Sequence, residues 1–245
     1  MKIFLDKRYV HIETYKDFIK EQVNHHFVFN LDESYDSEII ITVPTDLTNS
    51  YLDQYKNLVF ICLITAGYDG IDLEYLKKRN ITLTNAKDVF SIQIAEDVIA
   101  KILYFNRNIK NHVKNQEEHL WKFVQSSHEI YGSTIGIIGA GSIGKHVAER
   151  LKSFKTKVLG YKRQLEHLEN FDKIYTTEEG LHELLNESDY VICAIPLTPE
   201  TRHMINAKTL SAMKEDALII NVARGEIIDQ EALKKALLNN QIRGA

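Results

Sequence analysis

One stretch constrains the fold more than any other: "TIGIIGAGSIGKHVAERL", residues 134–151. Residues 134–139 form an apolar, β-branched run, and Gly139, Gly141 and Gly144 follow with the spacing G-x-G-x-x-G. Ile143, Val147, Ala148 and Leu151 then recur at intervals of three and four, which makes one apolar helix face. A strand, a tight turn and a helix in this order belong in a parallel α/β sheet. Each glycine has its own task. Gly139 permits the turn, Gly141 lacks the Cβ that would keep a pyrophosphate off the backbone, and Gly144 lets the helix pack close to the strand. The N–H groups of the first helical turn, at Ser142 and Ile143, and the positive end of the helix dipole face such an anion. The alternative is a glycine-rich turn that binds nothing.

The rest of the chain alternates in the same way. Strands are expected at 2–5, 27–29, 38–43, 58–64 and 81–84, with helical patterns such as 13–23 and 72–79 between them. The all-apolar run at 58–64 suits a strand covered on both faces. A helix with one apolar face is expected from Ile92 to Asn108, followed by a polar arm at 108–132 that contains a further helix. A second alternation supplies strands at 134–139, 157–161, 190–195 and 217–222. Its helices are expected at about 143–154, 178–186, 206–213 and 230–239. Thr176 and Glu179 have the spacing of a capping box. The fold class is therefore α/β with two doubly wound parallel-sheet domains, residues 1–93 and 94–245.

Composition narrows the function. In 245 residues, 44% are hydrophobic and 26% charged, with a net charge of -4. That balance offers no basic surplus for nucleic acid, and no apolar run is long enough for a membrane span. Cys62 and Cys193 lie far apart in separate apolar runs, as buried thiols do in a reducing compartment, so the expected location is cytoplasmic. No metal site is expected.

The choice of dinucleotide turns on the strand at 157–161. An acidic residue at its end would accept hydrogen bonds from the adenosine ribose. Here it runs into Lys162 and Arg163, and no carboxylate appears before Glu166. Two cations in that position favour a 2′-phosphate, hence NADP. The other reading is a solvated turn with NAD bound, so the cofactor is written NAD(P).

The glycine loop, "LLNESDYVICAIPLTPETRHMINAKTLSAMKEDALIINVARGEIIDQEAL" and "ITAGYDGID" together resemble the D-isomer-specific 2-hydroxyacid dehydrogenase family. The resemblance implies a flavodoxin-like substrate domain beside a Rossmann domain, and hydride transfer between NAD(P)H and a small 2-oxo or 2-hydroxy acid. It implies that Ala66, Gly67 and Tyr68 hold the substrate carboxylate, that Ile195 and Pro196 lie along the nicotinamide-side ribose, and that Val222 and Ala223 line the nicotinamide. Arg224 matches the catalytic arginine, whose guanidinium pairs with a 2-oxo acid at carboxylate and carbonyl. Glu96 and Arg107 match structural residues of the interdomain helix, and 108–132 matches a dimerisation arm, so a homodimer is implied.

The resemblance also implies a glutamate and a general-acid histidine after the arginine. No histidine follows His203, and the later carboxylates are Glu226, Asp229 and Glu231, which read as capping and solvated residues. "QIRGA" at 241–245 reads as the first step into another strand. The expectation is a family member cut short within its Rossmann sheet and a weak or inactive dehydrogenase as it stands. The alternative is a non-catalytic dinucleotide-binding protein.

Overall fold

The apolar runs of the first half become five parallel strands in the computed structural model: β1 (Lys2–Leu5), β2 (His26–Val28), β3 (Ile39–Thr42), β4 (Phe60–Leu63) and β5 (Thr82–Thr84). Residues 1–21, 24–125 and 128–245 are described. The chain divides into two compact units, Met1–Phe90 and Ser91–Ala245. The first unit orders its strands β2-β1-β3-β4-β5, the flavodoxin-like arrangement. Helices α1 (Ile12–Glu21), α2 (Asn49–Leu52) and α3 (Leu73–Lys78) lie between strands. The last two residues of the helix expected at 13–23 lie outside the described residues.

Register builds the core of this unit. Phe4 is opposite Ile40, and Ile40 is opposite Ile61, so three fully buried side chains line up across neighbouring strands. Leu52, Tyr55 and Leu76 pack with them. Burial of each such aliphatic or aromatic side chain stabilises by about 1.5–3 kcal/mol. β4 departs from the expectation of two covered faces. Ile61 and Leu63 are buried, whereas Phe60 and Cys62, on the opposite face by the two-residue period, are only half-buried.

The second unit opens with α4 (Ser91–Asn106) and α5 (Ile109–Glu117). Its sheet comprises β6 (Thr134–Ile138), β7 (Lys157–Tyr161), β8 (Lys173–Tyr175), β9 (Tyr190–Cys193) and β10 (Leu218–Asn221). Helices α6 (Ser142–Lys152), α7 (Glu178–Glu187), α8 (Ala207–Ser211) and α9 (Gln230–Leu238) alternate with the strands. The order β10-β9-β6-β7-β8 is that of the first five Rossmann strands, with the switch point between β6 and β9. Both faces are covered. Ile135, Ile137 and Ile192 pack with α4 and α6 on one side, and Ile138, Val191 and Cys193 pack with α7 and α8 on the other. All four residues of β9 are buried, as suits a central parallel strand.

Two local expectations are corrected. β8 was not foreseen, because three residues with an exposed lysine at their head give no apolar run; pairing with β7 makes the strand. The cap of α7 is Thr177, whose side chain accepts from the Gly180 amide at 3.1 Å. The helix starts one residue later than a Thr176 cap requires, and the third helical position is then Gly180, which has no side chain to close a capping box. The C-terminal residues run beside β10 as expected: Arg243 N donates to Ala217 O at 3.0 Å, and Ile219 N donates to Gly244 O at 3.1 Å. Among the described residues no helix is long and apolar enough to cross a membrane.

Candidate functional site

The glycine loop joins β6 to α6 at the switch point. Gly139 has φ +105°, and a Cβ there would lie 2.5 Å from the Ala194 carbonyl oxygen, just beyond β9. Gly144 is closed in the same way, since its Cβ would come within 2.3 Å of the Gly139 carbonyl oxygen. Gly141 is different. It is the N-cap of α6 with no side-chain cap, and a Cβ there would meet nothing within 4 Å. Two glycines thus shape the turn, and the third leaves open space at the N-terminus of an 11-residue helix, where an anion is favoured. Ser142 hydrogen-bonds the buried Ser91 hydroxyl of α4 at 3.0 Å, and Ile143 packs against the core.

Neighbouring loops converge on the same edge of the sheet. After β9, Ile195 packs on the core, and its Cγ2 would sit 2.7 Å from a Cβ on Gly139. The Pro196 carbonyl accepts from the Thr201 hydroxyl at 2.7 Å, and Thr201 Oγ1 in turn accepts from the Thr198 amide at 2.8 Å, which fixes that loop. After β10, Val222 N donates to Cys193 O at 3.1 Å. Asn221 clamps the turn: its Oδ1 accepts from Ala223 N at 3.0 Å and its Nδ2 donates to Arg224 O at 2.7 Å. Arg224 is exposed and donates to the Ala223 carbonyl at 2.9 Å. After β7, Lys162 pairs with Glu166, and Arg163 lies 4.0 Å from Glu200.

The expected residues of the second unit therefore gather at the carboxyl ends of β7, β6, β9 and β10, four adjacent strands. At neighbouring spacings of about 4.8 Å that edge extends roughly 14 Å, the ligand side of an open α/β sheet. The remaining expected residues, Ala66, Gly67 and Tyr68, follow β4 in the first unit. That loop is braced by Thr65 Oγ1 donating to Gly67 O at 3.0 Å and by Asn85 Nδ2 donating to Ala66 O at 2.7 Å.

The family's sequence model described as D-isomer specific 2-hydroxyacid dehydrogenase, NAD binding domain, matches residues 99–245. The chain belongs to the D-isomer-specific 2-hydroxyacid dehydrogenase family. A glyoxylate reductase of Thermococcus gammatolerans is 34% identical over 224 residues, 88% of this chain and 67% of that protein. Across that protein and the glyoxylate reductases of Pyrococcus horikoshii and Pyrococcus furiosus the match spans 63–67% of their length. An acyclic imino acid reductase solved with NADPH and D-Arg has a TM-score of 0.87 at 30% identity, covering 100% of this chain and 81% of the other. An NAD-dependent formate dehydrogenase of Staphylococcus aureus solved with NAD has a TM-score of 0.79 at 28% identity, covering 100% and 80%.

Within this 2-hydroxyacid dehydrogenase fold, two of the three carboxylates after Arg224 have structural partners. Asp229 Oδ1 caps α9 by accepting from Glu231 N and Ala232 N, both at 3.0 Å, and Glu226 lies 3.7 Å from Arg202. Glu96 of α4 lies 4.0 Å from Arg150 of α6. Sequence reasoning missed Asn221, although an asparagine directly after a strand is a turn signal. Ser91 reads in the sequence only as the start of a helix, and nothing local points to its bond with Ser142, 51 residues on.

Proposed function

We propose that this chain binds a nicotinamide dinucleotide and serves in the reduction of a small 2-oxo acid, with NADP favoured over NAD. The observation that carries the reading is the asymmetry of the glycine loop: Gly139 and Gly144 are closed by the fold, and Gly141 opens onto space at a helix N-terminus. A pyrophosphate fits that cradle, held by the amides of Gly141, Ser142 and Ile143. Ile195 and Pro196 flank the ribose on the nicotinamide side, Val222 and Ala223 line the ring, and Lys162 and Arg163 offer charge-assisted donors to a 2′-phosphate. The coenzyme, when bound, supplies the hydride. Arg224 holds the 2-oxo acid through its carboxylate and carbonyl and polarises the C=O, with Asn221 setting the turn that presents it. Ala66, Gly67 and Tyr68 bind the substrate carboxylate. Residues 1–93 act as the substrate domain and 94–245 as the coenzyme domain.

Similarity to glyoxylate reductases and to an NADPH-bound imino acid reductase supports a reductase of small carboxylic acids. Leu120, Trp121 and Phe123 of the arm are exposed, which supports a homodimer. The two unpaired thiols, Cys62 and Cys193, suit the cytoplasm.

Calorimetric titration of residues 1–245 with NADPH and NADH tests binding, and absence of heat for both sinks the proposal. Steady-state assays with glyoxylate and hydroxypyruvate test turnover. Oxidation of NADPH on adding either acid is expected, and no oxidation with both overturns the reductase reading.

A further inference from the structure

Both cations expected to meet a 2′-phosphate already have carboxylates beside them. Lys162 is hydrogen-bonded to Glu166, four residues on, in the loop between β7 and β8. Arg163 lies 4.0 Å from Glu200, whose carboxylate is held by the Thr198 hydroxyl at 2.7 Å. The two pairs differ. Arg163 and Glu200 are 78% and 73% exposed, so solvent screens them, whereas the Lys162 side chain is only 23% exposed. The Lys162 amide also donates to the Tyr175 carbonyl at 3.1 Å, which anchors the root of that side chain to β8. Its ammonium is thus the better-fixed cation, and Glu166 occupies it.

We infer that Glu166 is a specificity-determining residue for the coenzyme, a carboxylate seated on Lys162 where the 2′-phosphate of NADP(H) would otherwise be received. The inference rests on the dinucleotide-binding reading above. A phosphate carrying about two negative charges at neutral pH repels Glu166 and must displace it to reach Lys162. A ribose with a free 2′-hydroxyl does the opposite, because it donates a hydrogen bond to a carboxylate left in place. Glu166 therefore weakens the hold on NADPH and strengthens that on NADH, and the protein accepts both coenzymes with narrow discrimination. The hydrogen bond from Lys162, with the added charge of Lys145, holds the Glu166 carboxyl below its usual range, so the carboxylate is ionised at neutral pH. Glu200 lies too far from Arg163 and is too solvated to exert the same control.

The test is calorimetric titration of the 245-residue chain and its variants with NADPH and NADH. Glu166→Gln keeps the side-chain shape and removes the charge. It is expected to raise the ratio Kd(NADH)/Kd(NADPH) by about 5- to 10-fold, a specificity change made by removing a repulsive element. In a Lys162→Gln background the same substitution is expected to shift the ratio less than two-fold, since the two residues act as a pair. A ratio that moves less than two-fold in the wild-type background overturns the inference. So does an equal shift with and without Lys162, which assigns the effect to net charge. If the wild-type chain binds neither coenzyme, the reading of the glycine loop fails and this inference falls with it. If it binds but the ratio is unmoved, only the role of Glu166 fails.

Discussion

At the scale of single residues, the glycine loop separates folding from binding. Gly144→Ala forces a Cβ to within 2.3 Å of the Gly139 carbonyl oxygen, and the neighbouring atoms are backbone and the buried Ile137. Overpacking of this kind costs about 1–3 kcal/mol, and a lower urea midpoint is the expected readout. Gly141→Ala meets nothing within 4 Å. Its stability should stay within about 0.5 kcal/mol of wild type while coenzyme affinity falls by about ten-fold or more, as the added methyl fills the space a phosphate needs. If both variants lose stability equally, Gly141 is part of the turn and not of a cradle. Arg224→Ala tests the substrate side of the proposal. Its side chain is exposed and is assigned to the substrate, not the coenzyme, so NADPH affinity should hold within about two-fold, while keto-acid turnover falls by about 10²–10³-fold. An unchanged rate would remove Arg224 from the chemistry.

At the scale of elements, caps decide where helices begin. α7 carries two glutamates in its first turn, favourable at the positive end of the helix, and Thr177 satisfies the Gly180 amide. Thr177→Ala should destabilise the second unit by about 1 kcal/mol, and Thr176→Ala by no more than a few tenths. Thermal melts of the two variants distinguish them; the reverse order would return the cap to Thr176. The comparison isolates what a pattern of spacing leaves undetermined. Two adjacent threonines precede two adjacent glutamates, and only the turn out of β8 selects which hydroxyl points at the helix.

At the scale of the whole molecule, each unit has its own determinants. In the first, Asp6 follows β1, is 2% exposed, and accepts from Arg8 N at 3.1 Å, Arg8 Nε at 3.0 Å, Arg8 Nη2 at 2.7 Å and Thr42 Oγ1 at 3.3 Å. Burial pushes the Asp6 carboxyl up, and the bonds and charge of Arg8 outweigh that, leaving it below the ordinary aspartate value. A depressed value in the folded state means the stabilisation is fully present above the unfolded-state value and is lost as pH falls through the folded one. Arg8 is 45% exposed and keeps Asp46 at 2.9 Å, so Asp6→Asn should cost about 1–2 kcal/mol at neutral pH, with the gap from wild type closing at acid pH. Coenzyme affinity, a property of the second unit, should change less than about two-fold. Urea titrations at pH 7 and in the acid range would expose a constant gap, which would assign the effect to packing and not to charge.

What the sequence determined by itself was local or periodic. Apolar runs of three to seven residues, amphipathic helices and the G-x-G-x-x-G turn identify a doubly wound α/β chain and the edge where a ligand is expected, because each depends on neighbours within a few residues. Tertiary structure alone decided the rest. β8 is a strand because β7 lies beside it, Gly139 is enclosed because Ala194 passes 55 residues later in the chain, and Ser142 is held by Ser91 on another helix. Glu166 was legible only as the first carboxylate after two cations; that it folds back onto Lys162 is a fact of the loop. The physical reason is the same in each case. Close packing and hydrogen bonding between residues distant in sequence depend on strand order and register, which no local spacing encodes.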